Sequence, residues 1–122
     1  MMYYSTNKKT PAVTLKEAVV KGLASDKGLF MPEKINKFDR EFLENFDKLS
    51  FREIAFETAK QLFAEDVPDD KLQEIVYDTL PFDCPLVKVT GNIYSLELFH
   101  GPTLAFKDVG ARFMARLLNY FL

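Results

Sequence analysis

Apolar positions recur along the chain with two periods, and the change from one to the other falls at Pro85. Between residues 14 and 79 they stand three and four apart, the spacing of helices that bury one side. Leu15, Ala18 and Val19, with Leu23 beyond them, share a face. Thr14 and Glu17 have the spacing of a capping box, and Gly22 can take the left-handed conformation that ends a helix. Phe38, Phe42, Leu43 and Phe46 mark a second apolar face behind a cap at Asp39. Ser50 and Glu53 repeat the capping box ahead of Phe51, Ile54, Ala55, Thr58, Ala59 and Leu62. A further helix, with Leu72, Ile75, Val76 and Thr79 inward, starts after Pro68 and is stopped by Pro81.

Past Pro85 the period falls to two. Residues 86–90 and 93–98 alternate on either side of Gly91-Asn92, a link that favours a hairpin. Residues 2–6, short, aromatic and uncharged, read as an opening strand. Asp26-Lys27-Gly28 reads as a turn, and Leu29-Phe30-Met31 is extended because the residue before Pro32 is pushed out of the helical region. A last helix places Val109, Phe113, Leu117 and Phe121 along one stripe, with Gly110, Met114 and Leu118 beside it and Arg112 and Arg116 elsewhere. The expected class is α+β, mostly helical with a small sheet and a hairpin. The helical pattern runs to Leu122 with no capping glycine or polar tail, so the chain is expected to be a piece of a longer protein. Exposed apolar surface on residues 109 to 122 is then expected to drive self-association.

Composition narrows the class of function. At 122 residues, 48% of them hydrophobic, one domain with a real core is expected. Sixteen basic and eighteen acidic residues leave a net charge of −2 without a basic cluster, which argues against a nucleic-acid partner. A lone Cys84 allows no internal disulfide and fits a reducing compartment. No apolar run approaches a membrane span and the first residues lead into no signal-peptide core, so the expectation is a cytoplasmic protein with no membrane partner. No metal site is expected, and the helical phenylalanines are expected to be core rather than a cofactor box.

Chemistry concentrates between Glu97 and Asp108, where the only histidine, His100, stands ahead of a Gly101-Pro102 turn, the apolar Leu104-Ala105-Phe106 and Lys107. A structural lysine favours the last turn of a helix, where the backbone carbonyls attract it; Lys107 falls in the first. The helix end and the apolar neighbours both disfavour the ammonium and favour a neutral, nucleophilic amine. From the residues alone the alternative stands beside this: an ordinary surface lysine whose stem packs while its head stays in water.

His100-Gly101-Pro102-Thr103-Leu104-Ala105-Phe106-Lys107-Asp108 resembles the pyridoxal-phosphate lysine motif of threonine synthases, which belong to the tryptophan-synthase-β-like, fold-type II pyridoxal enzymes. Gly22-Leu23-Ala24-Ser25-Asp26-Lys27-Gly28-Leu29-Phe30-Met31-Pro32 is similar to the N-terminal signature of the same family, with Lys27 where a second glycine is usual, a departure expected to change the turn. The resemblance implies that residues 1–98 form the N-terminal domain and that 99–122 are the cofactor-lysine loop and first helix of a truncated pyridoxal-phosphate domain. It implies an activity for the parent enzyme, conversion of O-phospho-L-homoserine and water into L-threonine and phosphate. Lys107 would bear the cofactor as an imine and afterwards move protons, and Phe106 would pack near its ring. Asp108 would favour the helix N-terminus electrostatically, while His100 and Thr103 would orient the loop or touch a ligand. The five glycines are scattered, so the glycine-rich phosphate loop of this class is missing and the chain alone is expected to be inactive. The remaining C-terminal part of the enzyme is the implied partner. A serine/threonine dehydratase and a non-catalytic threonine-synthase-like interaction domain remain as alternatives.

Overall fold

The computed structural model describes all of residues 1–122. In chain order it runs β1 (Met2–Ser5), β2 (Val13–Thr14), α1 (Leu15–Lys21), β3 (Phe30–Pro32), α2 (Arg40–Asn45), a 3-10 turn at Phe46–Lys48, α3 (Phe51–Phe63), α4 (Asp69–Thr79), β4 (Leu86–Thr90), β5 (Ile93–Leu96) and α5 (Lys107–Phe121). Both capping boxes are formed. Thr14 Oγ1 accepts the Glu17 N–H at 3.3 Å and Glu17 Oε2 accepts the Thr14 N–H at 3.0 Å. At α3 the Ser50 hydroxyl accepts the Glu53 N–H at 3.3 Å while Glu53 reaches back to the Ser50 N–H at 2.7 Å. Gly22 ends α1 with a φ of +71°.

The opening strand is the centre of a three-stranded antiparallel sheet in the order β2-β1-β3, with Tyr3 opposite Val13 and Pro32, and Ser5 opposite Phe30. Alternation along β1 buries Tyr3 and Ser5 and leaves Tyr4 outside. The Tyr3 hydroxyl donates to the Leu62 carbonyl at 3.1 Å, which ties the sheet to the end of α3.

The core lies between this sheet and α1, α3, α4 and α5, and its least exposed members are Leu72, Val67 and Leu117. Leu72, Ile75, Val76 and Thr79 all point inward from α4, as their spacing predicts. From α5 come Leu117 and the partly buried Val109, Phe113, Leu118 and Phe121, with the Phe113 ring 5.3 Å from that of Phe63. The expectation that residues 109 to 122 present an open apolar face is therefore corrected: the stripe is covered by the chain itself, and Met114, Tyr120 and Leu122 are the large apolar residues of this segment left exposed.

Three other faces differ from the pattern. Leu23 is exposed because Gly22 turns the backbone away before it, and Thr58 is exposed with its hydroxyl donating to the Ile54 carbonyl at 2.8 Å. In α2 no residue is buried: Phe38 and Phe42 stack on each other with centroids 4.4 Å apart and Leu43 faces outward. The β4–β5 hairpin forms around Gly91-Asn92, with Leu86 opposite Leu96 and an irregularity between Lys88 and Thr90, and is exposed along both strands. No helix is long and apolar enough to cross a membrane.

Candidate functional site

Strand β5 runs on into the lysine loop, and the Glu97 N–H still donates to the Pro85 carbonyl at 2.9 Å. One turn later His100 Nε2 stands 2.7 Å from Glu97 Oε2, and its ring stacks on Phe99 with centroids 4.7 Å apart. His100 is thus engaged within the loop. Gly101 is buried, and the Leu104 N–H closes a turn on its carbonyl at 3.0 Å. Leu104 adopts a φ of +55°, in the left-handed region that non-glycine residues seldom occupy.

Lys107 is the first residue of α5 and is exposed. Leu104 and Phe106 are 74% and 63% exposed, so the apolar enclosure expected around the amine is not supplied by these residues within this chain. The neighbouring Asp108 is the opposite case, with 4% exposure. Its Oδ1 accepts the Thr103 hydroxyl at 2.6 Å and its Oδ2 accepts the Thr103 N–H at 2.8 Å. The Thr103 hydroxyl bond, ahead of the opposing effect of desolvation, holds the Asp108 carboxyl below its ordinary range, and the Thr103 N–H and the charge of Lys107 add to it. A Cβ at position 101 would run into this carboxylate, which is why a glycine stands there.

The upstream signature is organised by a second carboxylate. Asp26 accepts the Ser5 hydroxyl at 2.6 Å and the backbone N–H groups of Gly28 and Lys9 at 3.0 Å each. Its carboxyl is held below the ordinary range, first by the Ser5 hydroxyl. Lys27 takes a φ of +67°, so the turn keeps a conformation suited to the glycine usual at this place in the signature. The signature loop is thereby a packed turn on β1.

An apolar cavity of about 350 Å³ opens between α1, β3 and α5, lined among others by Leu15, Val19, Met31, Phe63 and Phe113. Its one phenol, Tyr3, is already bonded to Leu62, and Lys107 takes no part in its lining. No group of three or more His, Cys, Asp or Glu residues is placed to hold a metal ion. Sequence reasoning placed Lys107 at the helix start correctly but did not see that Asp108 and Thr103 grip one another; the polar pair five residues apart, behind a glycine, was the available signal.

The α+β body, with a lysine at the start of a helix behind a Gly-Pro loop, has the fold of the N-terminal part of a class of solved enzymes, one of them with PLP bound. The chain belongs to the threonine synthase family: the family described as "Threonine synthase N terminus" matches residues 2–80. It is 43% identical to threonine synthase of Saccharomyces cerevisiae over 133 aligned positions, covering 99% of this chain and 26% of that protein. The crystal structure of threonine synthase from Escherichia coli superposes with a TM-score of 0.91 at 34% identity, over 99% of this chain and 28% of the other. The threonine synthase from Brucella melitensis, solved with PLP bound, superposes with a TM-score of 0.89 at 35% identity, over 100% of this chain and 27% of the other. The chain thus spans about a quarter of the length of the curated relatives it matches, from 23% to 28%.

Proposed function

We propose that this chain is the N-terminal portion of a threonine synthase whose complete form converts O-phospho-L-homoserine and water into L-threonine and phosphate with pyridoxal phosphate. The observation that carries the reading is Lys107 itself: the lysine of the His100–Asp108 motif opens α5, exposed, in a fold that superposes over its whole length on a PLP-bound threonine synthase.

The residues present fit a pyridoxal group on one side. Lys107 offers a solvent-reached primary amine for covalent attachment, and Phe106, whose ring is exposed, offers an apolar face beside it. When bound, the cofactor acts as the electron sink for bond breaking next to the amino-bearing carbon. Lys107 would hold the group through its side-chain amine, and with that amine free it would be the base that takes a proton from the substrate and the acid that returns it during β,γ-elimination and addition of water. Thr103 and Asp108 hold the loop, and the His100–Glu97 pair steadies its entry. The residues that grip the cofactor phosphate lie in the remaining C-terminal part, the partner of this chain. By role, residues 1–98 form the N-terminal domain and 99–122 begin the cofactor domain, although Leu117 shares the core of the former. The chain alone is inactive in this reading.

The test is a titration of the chain with pyridoxal phosphate, followed by the visible imine band, borohydride reduction and peptide mapping, beside Lys107→Ala. An adduct mapped to Lys107 supports the assignment; an adduct spread over other lysines, unchanged in Lys107→Ala, sinks it. Threonine formed from O-phosphohomoserine by the chain alone would refute the claim of inactivity.

A further inference from the structure

The N-cap of α5, Phe106, is itself helical and offers no side-chain cap, so nothing at the usual position fixes the start of the helix that carries Lys107. Packing does not fix the preceding loop either, because Leu104 and Phe106 are mostly exposed. Yet the loop holds Leu104 at a φ of +55°, a conformation that persists in a non-glycine residue only where the surroundings impose it. The constraint must come from polar contacts, and the loop has one buried polar anchor. Both oxygens of Asp108 are engaged by Thr103, at 2.6 Å and 2.8 Å, with Gly101 seated against the carboxylate.

On the reading that Lys107 bears the cofactor, the geometry points to Asp108 as its positioning residue: the clip of this buried carboxylate on Thr103 closes residues 103–108 into a ring that fixes the backbone of Lys107 in the first turn of α5. Three features support this over the simpler role of Asp108 as a charge at a helix N-terminus. A charge acting on the dipole alone needs no burial and no two-pronged partner. Asp108 is buried, is engaged through both oxygens, and rests on a residue where a side chain would not fit. Asp108 is also not a counter-ion clamped on Lys107, since adjacent residues of a helix do not face each other and both carboxylate oxygens are already engaged. The clip therefore leaves the amine free while holding the backbone that carries it.

The test uses isotope-labelled chain and the variants Thr103→Val, Thr103→Ser and Asp108→Asn. Two readouts need no cofactor: hydrogen exchange of the Thr103 amide and the Cα chemical shift of Lys107, with the Val76 and Leu117 amides as core controls. Thr103→Val and Asp108→Asn are expected to speed Thr103 exchange about tenfold or more, as loss of a charge-assisted hydrogen bond does, and to move the Lys107 shift towards coil. Thr103→Ser is expected to keep both wild-type values, and core exchange to stay unchanged. With pyridoxal phosphate added, imine formation at Lys107 is expected to slow in the first two variants and recover in the third. Wild-type exchange and shift in Thr103→Val overturn the proposal, and so does equal loss of protection at Val76 and Leu117, which would make the pair a prop of the whole fold. A wild-type adduct that maps to other lysines and is unchanged in Lys107→Ala, with the clip signals behaving as expected, refutes the cofactor assignment and supports the placement of the helix start by Asp108.

Discussion

Arg112 Nε donates to the Thr79 carbonyl at 2.9 Å, and the same guanidinium reaches the Asp78 carbonyl through Nη2 at 2.9 Å. The last carbonyls of a helix have no partner within it, and α4 has no basic residue in its own last turn. A cation from α5 therefore satisfies the end of α4, and Arg52 of α3 does the same for the Leu80 carbonyl at 2.7 Å. Arg116 adds a contact to the Asp78 side chain. The helix that presents Lys107 is thus fastened at its middle by charge as well as by Leu117. Arg112→Ala is expected to lower stability by about 1–3 kcal/mol, the range for hydrogen bonds to charged groups. Arg112→Lys should recover only part, because a point charge cannot fork across two carbonyls. Urea midpoints at constant slope decide the matter, and an unshifted midpoint for Arg112→Ala would leave the α4–α5 contact resting on apolar packing alone.

Neighbouring positions in the upstream signature should respond to substitution in opposite directions. Lys27 holds a φ of +67° with an ordinary side chain, so Lys27→Gly removes a left-handed penalty of about 1–2 kcal/mol against a smaller loss of chain entropy. A net gain of about 0.5–1 kcal/mol is expected. At Gly28 an added Cβ would run into Ser5 Oγ and stand 2.9 Å from the Asn7 nitrogen. Ser5 is fully buried and bonded to Asp26, so it cannot step aside, and Gly28→Ala should cost about 1–3 kcal/mol. Thermal melts of the two variants should move apart from the wild type on either side. A destabilised Lys27→Gly would show that the lysine side chain contributes something that outweighs its strained backbone.

How far the fold could be read beforehand depended on whether the information was local. Thr14 with Glu17, Ser50 with Glu53 and Gly91-Asn92 each act within a few residues, and each was legible. The α4 stripe was legible because a helix between Pro68 and Pro81 has only one side to bury. Leu23, Leu43 and Thr58 obeyed the same spacing and proved exposed, since periodicity tells which residues share a face and not whether another element covers it. The cover itself is long-range: Arg112 reaches Thr79 across 33 positions and Tyr3 reaches Leu62 across 59. At the candidate site the start of a helix at Lys107 was legible, while the grip of Asp108 on Thr103 depended on a loop path that no periodicity encodes.

That distinction between shared face and cover can be measured. Leu72 and Leu43 occupy equivalent places in their helical patterns, yet Leu72 is fully buried and Leu43 is 56% exposed. Leu72→Ala should cost about 2–5 kcal/mol through lost transfer and the cavity left behind. Leu43→Ala should stay within about 0.5 kcal/mol of the wild type, as surface changes do. Equal losses from the two would mean that α2 is packed against the body of the protein in solution.

The carboxylates that organise the two signature loops also set the response to acid. Asp26 and Asp108 are held below their ordinary range by the hydroxyls of Ser5 and Thr103, and Glu17 and Glu53 by the backbone and hydroxyl groups of their caps. In the unfolded chain the same groups titrate near their ordinary values of about 4. As the pH falls below about 5, the unfolded state therefore binds protons first, and stability declines as the pH approaches the lowered folded values. The contribution of these groups is complete at neutral pH and is lost on the acid side, so a rise of pH above 7 should not touch it. Asp26→Asn removes one titrating anchor, and its deficit in urea midpoint against the wild type should be widest at pH 7 and shrink by pH 3. A deficit that stays constant across that range would show that the shape of the Asp26 side chain, rather than its charge, holds the turn on β1.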